Sequence, residues 1–246
     1  MKKLLLATVT VMALGVADQA WAAPVAITLT ATYNTVTASG SGDFQTQCCS
    51  TDLGMVTSTL GPDGLPVYTG VSTFPLLDIN PVTKEIEWWT PGTTAGGDVV
   101  TSSGTGMISS PFASTNMYPP TGPNGNVGND SGGFLTAEFT GTFDLPTASK
   151  VTFTLGSDDD SFFYVDGTLV TGLGGVHGDT PAPTNTVTLS AGLHTIELFY
   201  DDRYQTQAAL NFGLDSTGIV PVPEPISMSL LGVGLLGLGM ARRRRA

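Results

Sequence analysis

The middle of the chain consists of short apolar runs that alternate with polar residues and end at turn residues. From Val151 to Leu155 apolar residues alternate with threonine, which is the period of a half-buried β-strand. Phe162 to Val165 and Leu169-Val170 are apolar runs separated by Asp166-Gly167, and Asp-Gly in this position is a strong hairpin signal. No helical period continues for three turns, so the pattern predicts an all-β fold of antiparallel strands.

Similar runs recur along much of the chain, separated by Gly, Pro, Asn and Asp. They predict further strands at Ile27 to Thr35, Leu135 to Phe143, Thr186 to Leu189, Leu193 to Tyr200 and Ala208 to Leu214. Two segments rich in Gly, Ser, Thr and Asn are predicted to be long loops, Pro91 to Gly106 and Pro119 to Gly133. Strands at this spacing predict an antiparallel β-sandwich, which we place at residues 23–217.

The N-terminus has the three parts of a secretory signal peptide. Lys2 and Lys3 are followed by an apolar run from Leu4 to Val16. Ala20 and Ala22 then supply the small residues that precede a cleavage site, so we expect cleavage between Ala22 and Ala23. The apolar run is short for a membrane span of ~20 residues. Residues 1–22 are therefore predicted to direct export and then to be removed.

The C-terminus also has three parts in a fixed order. Pro223-Glu224-Pro225 is followed by an apolar, Gly-rich stretch from Ile226 to Met240 and by four arginines, Arg242 to Arg245. Residues 218–246 resemble the PEP-CTERM sorting signal. That resemblance implies recognition by a membrane-embedded exosortase, transient anchoring in the inner membrane and transfer to the cell surface or the extracellular space. The alternative is an ordinary tail anchor whose arginines stay in the cytoplasm.

The exported part is much more acidic than the whole chain. The formal net charge of the 246 residues is −12, but six of the nine basic residues belong to the two terminal signals. Lys84, Lys150 and Arg203 remain beside 19 acidic residues, so the charge of this part is near −16. Such a surface repels nucleic acid and attracts divalent cations, of which calcium is abundant outside the cell. A nucleic-acid partner is therefore excluded from the prediction.

Cys48 and Cys49 are adjacent and are the only cysteines. Their Cα atoms lie ~3.8 Å apart across a trans peptide bond, which is below the usual 4.4–6.8 Å of a relaxed disulfide. A vicinal disulfide, two free thiols and intermolecular bridges remain open as alternatives.

Three consecutive acidic residues are the densest chemical feature of the sequence. Asp158, Asp159 and Asp160 are separated by one serine from the apolar run that begins at Phe162, and like charges this close repel one another. A loop that curls their oxygens around a hard cation removes the repulsion, and calcium accepts six to eight oxygen ligands. The three residues are therefore predicted to bind calcium, with a solvated acidic loop as the alternative.

A wider pattern surrounds these aspartates. Asp166-Gly167 follows them, and then Leu173 to Gly178 reads Leu-Gly-Gly-Val-His-Gly and Phe199 to Arg203 reads Phe-Tyr-Asp-Asp-Arg. Together with upstream pieces such as Leu60 to Tyr68, this pattern resembles the bacterial fibro-slime domain, which is similar to the protective-antigen (flocculin-type) β-sandwich. The likeness spans roughly residues 28–215.

The resemblance implies a β-sandwich of slime, cellulosome-associated and adhesion proteins, with relatives that bind sugars. In the calcium-dependent lectin branch, two adjacent aspartates joined by a cis peptide bond hold the cation, and the cation binds sugar hydroxyls. Asp158, Asp159 and Asp160 are the matching positions, and the resemblance does not say which two form the pair.

Other residues are candidates for contacts with a sugar. Trp88 and Trp89 could form a stacking platform, although tryptophan is more often a core residue. His177 lies in a Gly-rich loop, where it could contact a ligand or cap the loop. The last candidates are Asp201, Asp202 and Arg203, which could instead form a buried ion pair.

These features predict a non-catalytic, surface-sorted protein that binds extracellular polysaccharide in a biofilm with the help of calcium. One alternative is a purely structural matrix protein in which calcium only stabilises the fold. The other is a glycoside hydrolase, which needs two acids ~5–5.5 Å or ~6.5–9.5 Å apart. No acid in an aromatic cleft stands out in the sequence as a proton donor, so an enzyme is not predicted.

Overall fold

The structure is a computed structural model that describes residues 26–44, 48–114, 134–204, 208–215 and 220–221. The signal peptide, the segment Pro119 to Gly133 and all of the C-terminal sorting signal except residues 220–221 lie outside these ranges. Over the described residues the chain forms thirteen β-strands and no helix. Accordingly, none of these residues belongs to a helix that could cross a membrane.

The larger of two antiparallel sheets has eight strands. In chain order they are β1 (Ile27–Thr37), β2 (Gly92–Thr93), β3 (Val99–Ser110), β5 (Phe134–Leu145), β7 (Ser161–Val165), β8 (Thr168–Leu173), β11 (Gly192–Asp202) and β13 (Val220–Pro221). Their spatial order is β2-β3-β1-β5-β11-β7-β8, and β13 pairs with β5. The central pairing of β5 with β11 runs over the whole length of β11.

The smaller sheet has five strands. They are β4 (Phe112–Ser114), β6 (Ser149–Asp158), β9 (Thr180–Pro181), β10 (Asn185–Leu189) and β12 (Ala209–Asp215). The order is β10-β6-β12-β4, and β9 pairs with β6. Strand β6 therefore leads from this sheet directly to β7 of the larger sheet.

The two sheets pack face to face around an apolar core. Phe163 of β7 lies between Phe153 of β6 and Phe212 of β12, with ring centroids 4.7 and 5.0 Å apart. These rings belong to one buried cluster that both sheets line. The fold is therefore sandwich-like, as the alternating strands predicted.

The predicted strands are confirmed, but one predicted loop is wrong. Within Pro91 to Gly106, residues from Val99 onward belong to β3, which pairs with β1 along the full length of that strand. The side chains of β3 are mostly exposed or half-buried, so Ser, Thr and Gly are compatible with it. Its backbone ladder to β1, rather than apolar alternation, makes this segment a strand.

A layer of loops covers the outer face of the larger sheet. Trp88, Phe44 and Ile86 belong to a second buried cluster, which also contains Phe162 and Phe199 from that face. Buried carboxylates hold the layer together because they accept backbone N–H groups. Asp43, for example, accepts the N–H of Leu77 at 2.6 Å and that of Asp78 at 3.0 Å.

The β7–β8 turn is held by a carboxylate as well as by its backbone. Asp166 and Gly167 have φ angles of 50° and 69°, which a two-residue turn of this type requires. Asp166 accepts the N–H of Thr195 at 2.8 Å, and its other oxygen lies 2.6 Å from Nδ1 of His194. His194 also contacts the carbonyl of Ser190 at 3.0 Å through Nε2. Both imidazole nitrogens therefore face acceptors, which favours the charged ring.

The pKa values of this pair move apart. Burial disfavours the charged imidazole, but the hydrogen bonds to Asp166 and Ser190 and the Asp166 charge outweigh it and raise the pKa of His194. Burial likewise opposes ionisation of Asp166, but the Thr195 N–H and His194 lower its pKa. The stabilisation due to His194 is present below its unfolded pKa and is lost as the pH rises through the folded pKa.

The variant Asp166→Asn keeps a residue that tolerates the left-handed turn. Because the Asp166 side chain is half-exposed, we expect it to reduce the free energy of unfolding at pH 5.5 by about 1 kcal/mol or less. The loss should be smaller at pH 8.5, where His194 is losing its charge. Urea unfolding of both proteins at the two pH values measures this, and an equal loss at both would contradict the ion pair.

Candidate functional site

The triple aspartate lies between the end of β6 in the smaller sheet and the start of β7 in the larger sheet, next to the end of β11. Asp158 is the last residue of β6, and β11 ends at Asp202. The N–H of Asp159 donates to the carbonyl of Asp201 at 3.0 Å, and the N–H of Asp201 donates to the carbonyl of Asp160 at 3.2 Å. These bonds join the two strand ends. The peptide bond between Asp158 and Asp159 is cis.

Three carboxyl groups converge at this junction. Asp158, Asp159 and Asp202 each place an oxygen within 4.8 Å of the others, and all three residues are buried. It is the one group of possible metal ligands found in the described part of the chain. Three buried carboxylates are hard oxygen donors of the kind that calcium prefers. The donor set therefore fits the predicted cation, although it comes from two strand ends rather than from one loop.

Backbone groups fix the orientation of Asp159. Its Oδ1 accepts the N–H of His177 at 2.7 Å, and its Oδ2 accepts the N–H of Arg203 at 2.8 Å. Burial, followed by the charge of Asp160, raises the pKa of Asp159 to about 6. The carboxylate is thus anchored from both sides.

Asp160 is placed differently from its two neighbours. Its Oδ2 accepts Nε of Arg203 at 2.7 Å, and its Oδ1 accepts Nη2 of Arg203 at 3.2 Å and the N–H of Gly175 at 2.7 Å. Both oxygens are therefore engaged by the guanidinium. The structure does not bring Asp160 into the group of three carboxylates, and Asp202 stands in its place.

Arg203 is buried in the middle of this acidic region. It is only 1% exposed, and its Cζ lies 4.8 Å from the centroid of the Trp88 ring. Its Nε is also 3.5 Å from Oδ2 of Asp201. Burial and the neighbouring charge of Asp160 raise the pKa of Asp201 well above its usual range. Arg203 therefore forms a buried ion pair, but its main partner is Asp160 rather than the expected Asp201 or Asp202.

Trp88 and Trp89 do not form a platform for a ligand. Their exposed fractions are 0% and 5%, and their rings lie 5.5 Å apart in the loop-layer core. The indole N–H of Trp88 donates to Asp43, and that of Trp89 donates to the carbonyl of Tyr200. Neither ring has a face open to a sugar, and we assign both to the core.

A small cavity of about 80 Å³ opens above the carboxylates. It is lined by Cys48, Asp158, Asp159, Val176, His177, Gly178 and Tyr204. Cys48 and Cys49 are joined by a disulfide, and the peptide bond between them is also cis. The N–H of Ser50 donates to the carbonyl of Val176 at 2.8 Å, which fixes the segment with the cystine beside the cavity.

His177 presents one ring nitrogen as an acceptor. Its Nδ1 lies 3.0 Å from the carbonyl of Gly178. Because a carbonyl cannot donate, Nδ1 carries the proton, and Nε2 of a neutral ring is an acceptor. Within the described residues this buried Nε2 has no hydrogen-bond partner. His177 is thus in a position to accept a hydroxyl group.

Two residues of the cavity were not singled out in the sequence. Tyr204 directly follows Arg203, and an aromatic residue next to an acid-Arg pair is a usable signal in the sequence; in the structure it is 39% exposed. For Val176, which is an ordinary apolar residue in the sequence, no such signal exists. The sequence does not indicate where the cysteines lie in the fold, and the structure places Cys48 beside the aspartates.

Residues 221–245 match the family model of the PEP-CTERM protein-sorting motif, which includes Pro223-Glu224-Pro225. The chain therefore carries an exosortase recognition signal and is an exported protein sorted to the cell surface. Comparison with curated proteins gave no match.

Several solved structures are similar to parts or most of the chain. A PA14 sugar-binding domain from an RTX adhesin is 26% identical over 33% of this chain and 46% of that domain, with a TM-score of 0.31. The PA14 domain of the antifreeze protein MpAFP is 13% identical over 80% of this chain and 86% of its own, with a TM-score of 0.38. The epithelial adhesin 9 A domain from Candida glabrata, solved with Galb1-4GlcNAc, is 12% identical over 79% of this chain and 85% of its own, with a TM-score of 0.39. The similarity is distant in all three.

Proposed function

We propose that the exported domain is a non-catalytic carbohydrate-binding module that uses calcium and acts in the extracellular matrix. The observation that carries this proposal is the position of three buried carboxylates, Asp158, Asp159 and Asp202, beside a small surface cavity. The fibro-slime resemblance of the sequence implies the same chemistry for the adjacent aspartates.

The charge balance of the site favours a bound cation. Five acidic residues, each at most 3% exposed, surround a single buried guanidinium, namely Asp158, Asp159, Asp160, Asp201 and Asp202. Asp160 and Asp201 lie next to Arg203, whereas the carboxylates of Asp158, Asp159 and Asp202 converge beside the cavity. Calcium bound there would place positive charge among these carboxylates and offer coordination positions to sugar hydroxyls.

The cavity suits the edge of a sugar rather than a whole oligosaccharide. Sites that enclose a whole small molecule have volumes of ~300–1,000 Å³, so a cavity of about 80 Å³ suits a part of a sugar such as a pair of hydroxyl groups. Next to the carboxylates, His177 Nε2 can accept one of these hydroxyls. Tyr204 and the Cys48–Cys49 disulfide provide less polar surface for ring carbons.

A glycoside hydrolase fits this geometry less well. Hydrolysis requires two acids that flank a glycosidic bond, with sugar units on both sides of it. Here the oxygens of three carboxylates lie within 4.8 Å of one another on one side of a small cavity. They are better arranged to share a cation than to act as acid and base.

A glycan array probed with the purified full-length chain, with calcium and then with EDTA, tests the proposal. We expect a set of bound glycans whose signal falls at least ten-fold in EDTA and in Asp158→Asn/Asp159→Asn. Asp215→Asn removes one charge from an exposed residue outside the site and should bind like the wild type. Glycan binding that is unchanged in EDTA and unchanged in the double variant would contradict the calcium site.

Two further results would redirect the assignment. Because the carboxylates are buried, calcium could serve the fold alone, and thermal stabilisation by calcium without any glycan signal would indicate a structural matrix protein. Release of reducing sugar by the purified protein would show a hydrolase.

A further inference from the structure

A second cavity, of about 200 Å³, lies in the loop layer. Its walls include Asp63, Leu65, Asn80, Glu85, Glu87 and Pro91. None of its lining residues belongs to the cavity beside Asp158 and Asp159. It is therefore a separate place on the molecule, formed within the segment between β1 and β3.

Glu85 is a buried acidic residue that lines this cavity. The residue is 1% exposed, and its Oε1 accepts the N–H groups of Asp63 at 2.8 Å and Leu65 at 3.4 Å. A Cβ at position 61 would collide with this carboxylate, so Gly61 allows the backbone to close over it. Oε2 is buried and has no hydrogen-bond partner within the described residues. A buried carboxylate oxygen in this state is unfavourable until a donor reaches it.

The charge of the cavity determines the kind of donor. Asp63 and Glu87 add two further acidic groups, and none of the residues that line the cavity is lysine or arginine. A cationic donor forms shorter and stronger hydrogen bonds with a carboxylate than a neutral donor does. The cavity is therefore suited to a positively charged ligand.

A single metal ion does not fit this arrangement. In the part of the chain that the structure describes, only Asp158, Asp159 and Asp202 bring their ligand atoms close enough together to share an ion. The three carboxyl groups of the second cavity do not form such a group. A cavity of about 200 Å³ suits a cation with a body of several atoms better than a single ion.

We propose that this cavity binds an amino sugar, with the ammonium group on Oε2 of Glu85. Leu65 and Pro91 supply apolar surface for the ring carbons, and the side chains of Asn80, Thr90 and Thr93 line the same space for the ring hydroxyls. A lysine side chain would offer a single polar group and leave those hydroxyl and amide groups unused. The site requires no calcium, so it is independent of the function proposed for the aspartates.

Ligand-observed NMR titration of the full-length chain in EDTA tests the proposal, because EDTA removes any calcium-dependent binding at the aspartates. We expect glucosamine to bind at least ten-fold more tightly than glucose or N-acetylglucosamine, which lack the ammonium group. Equal affinity for the three sugars would overturn the assignment. Binding of Nα-acetyl-lysine amide as tight as that of glucosamine would overturn it too, in favour of a lysine pocket.

Two variants locate the binding. Glu85→Gln should weaken glucosamine binding at least ten-fold, since it replaces the acceptor with an amide. Thr93→Lys changes an exposed residue at the cavity and supplies an internal ammonium group, so it should abolish binding even if Glu85→Gln fails to fold. Asp215→Asn, which removes one charge elsewhere, should leave the affinity unchanged. If Glu85→Gln and Thr93→Lys both bind glucosamine like the wild type, the ligand is not in this cavity.

Discussion

Replacement of Arg203 by methionine is expected to reduce the free energy of unfolding by about 3–5 kcal/mol. Arg203 is buried, and its guanidinium binds both oxygens of Asp160 and lies near Asp201. Methionine fills a similar volume but leaves the carboxylate of Asp160 buried without its counter-ion. The loss therefore comes mainly from an uncompensated charge and not from a cavity.

Urea unfolding with calcium held constant measures this loss. Lys150→Met removes a positive charge from an exposed residue and should change the stability by less than about 0.5 kcal/mol. Arg203→Lys keeps the charge but cannot reproduce the planar contacts with Asp160 and the Trp88 ring, so an intermediate loss is expected. A loss below about 1 kcal/mol in Arg203→Met would mean that Asp160 does not depend on its partner.

The strands of the sandwich could be predicted because their signal is local. In β6, apolar residues alternate with polar ones over successive positions, and β7 and β8 are joined by a two-residue Asp-Gly turn. Both features depend only on neighbouring residues. The aspartates next to β7 were found for the same reason, since three acids in a row are visible in the sequence.

The partners of those aspartates could not be predicted because they are set by strand pairing. Asp202 meets Asp158 and Asp159 because β11 and β6 end at the same place, although the residues are more than forty positions apart. At the same junction, Asp160 forms an ion pair with Arg203. A sequence pattern can identify candidate acidic residues. It does not say which of them lie together around a cation and which of them pair with an arginine.

The loop layer was the least predictable part. Its core includes Trp88 and Trp89, whose indole N–H groups bond to Asp43 and to the carbonyl of Tyr200, far away in the sequence. Strand β3 was not predicted because it is rich in polar Thr and Ser residues. It is defined by its backbone hydrogen bonds to β1. Both features arise from contacts across the fold, which override local preference.

Calcium is expected to stabilise the protein strongly if it binds the three converging carboxylates. At a free concentration 100-fold above Kd, binding to the folded state alone contributes about 2.7 kcal/mol. For a chain of this size that corresponds to a rise in Tm of roughly 5–10 °C. Thermal unfolding of the full-length chain with calcium or with EDTA measures the rise.

The variants of this experiment separate the two roles that we propose for neighbouring aspartates. Asp202→Asn removes a carboxylate from the group of three, so the calcium-induced rise in Tm should disappear. In Asp160→Asn the Arg203 ion pair is lost, which should lower Tm both with and without calcium while the rise due to calcium is retained. Asp215→Asn should preserve Tm and its calcium response. If Asp160→Asn loses the calcium response while Asp202→Asn keeps it, the cation is bound by the three consecutive aspartates of the loop instead of the junction between β6 and β11.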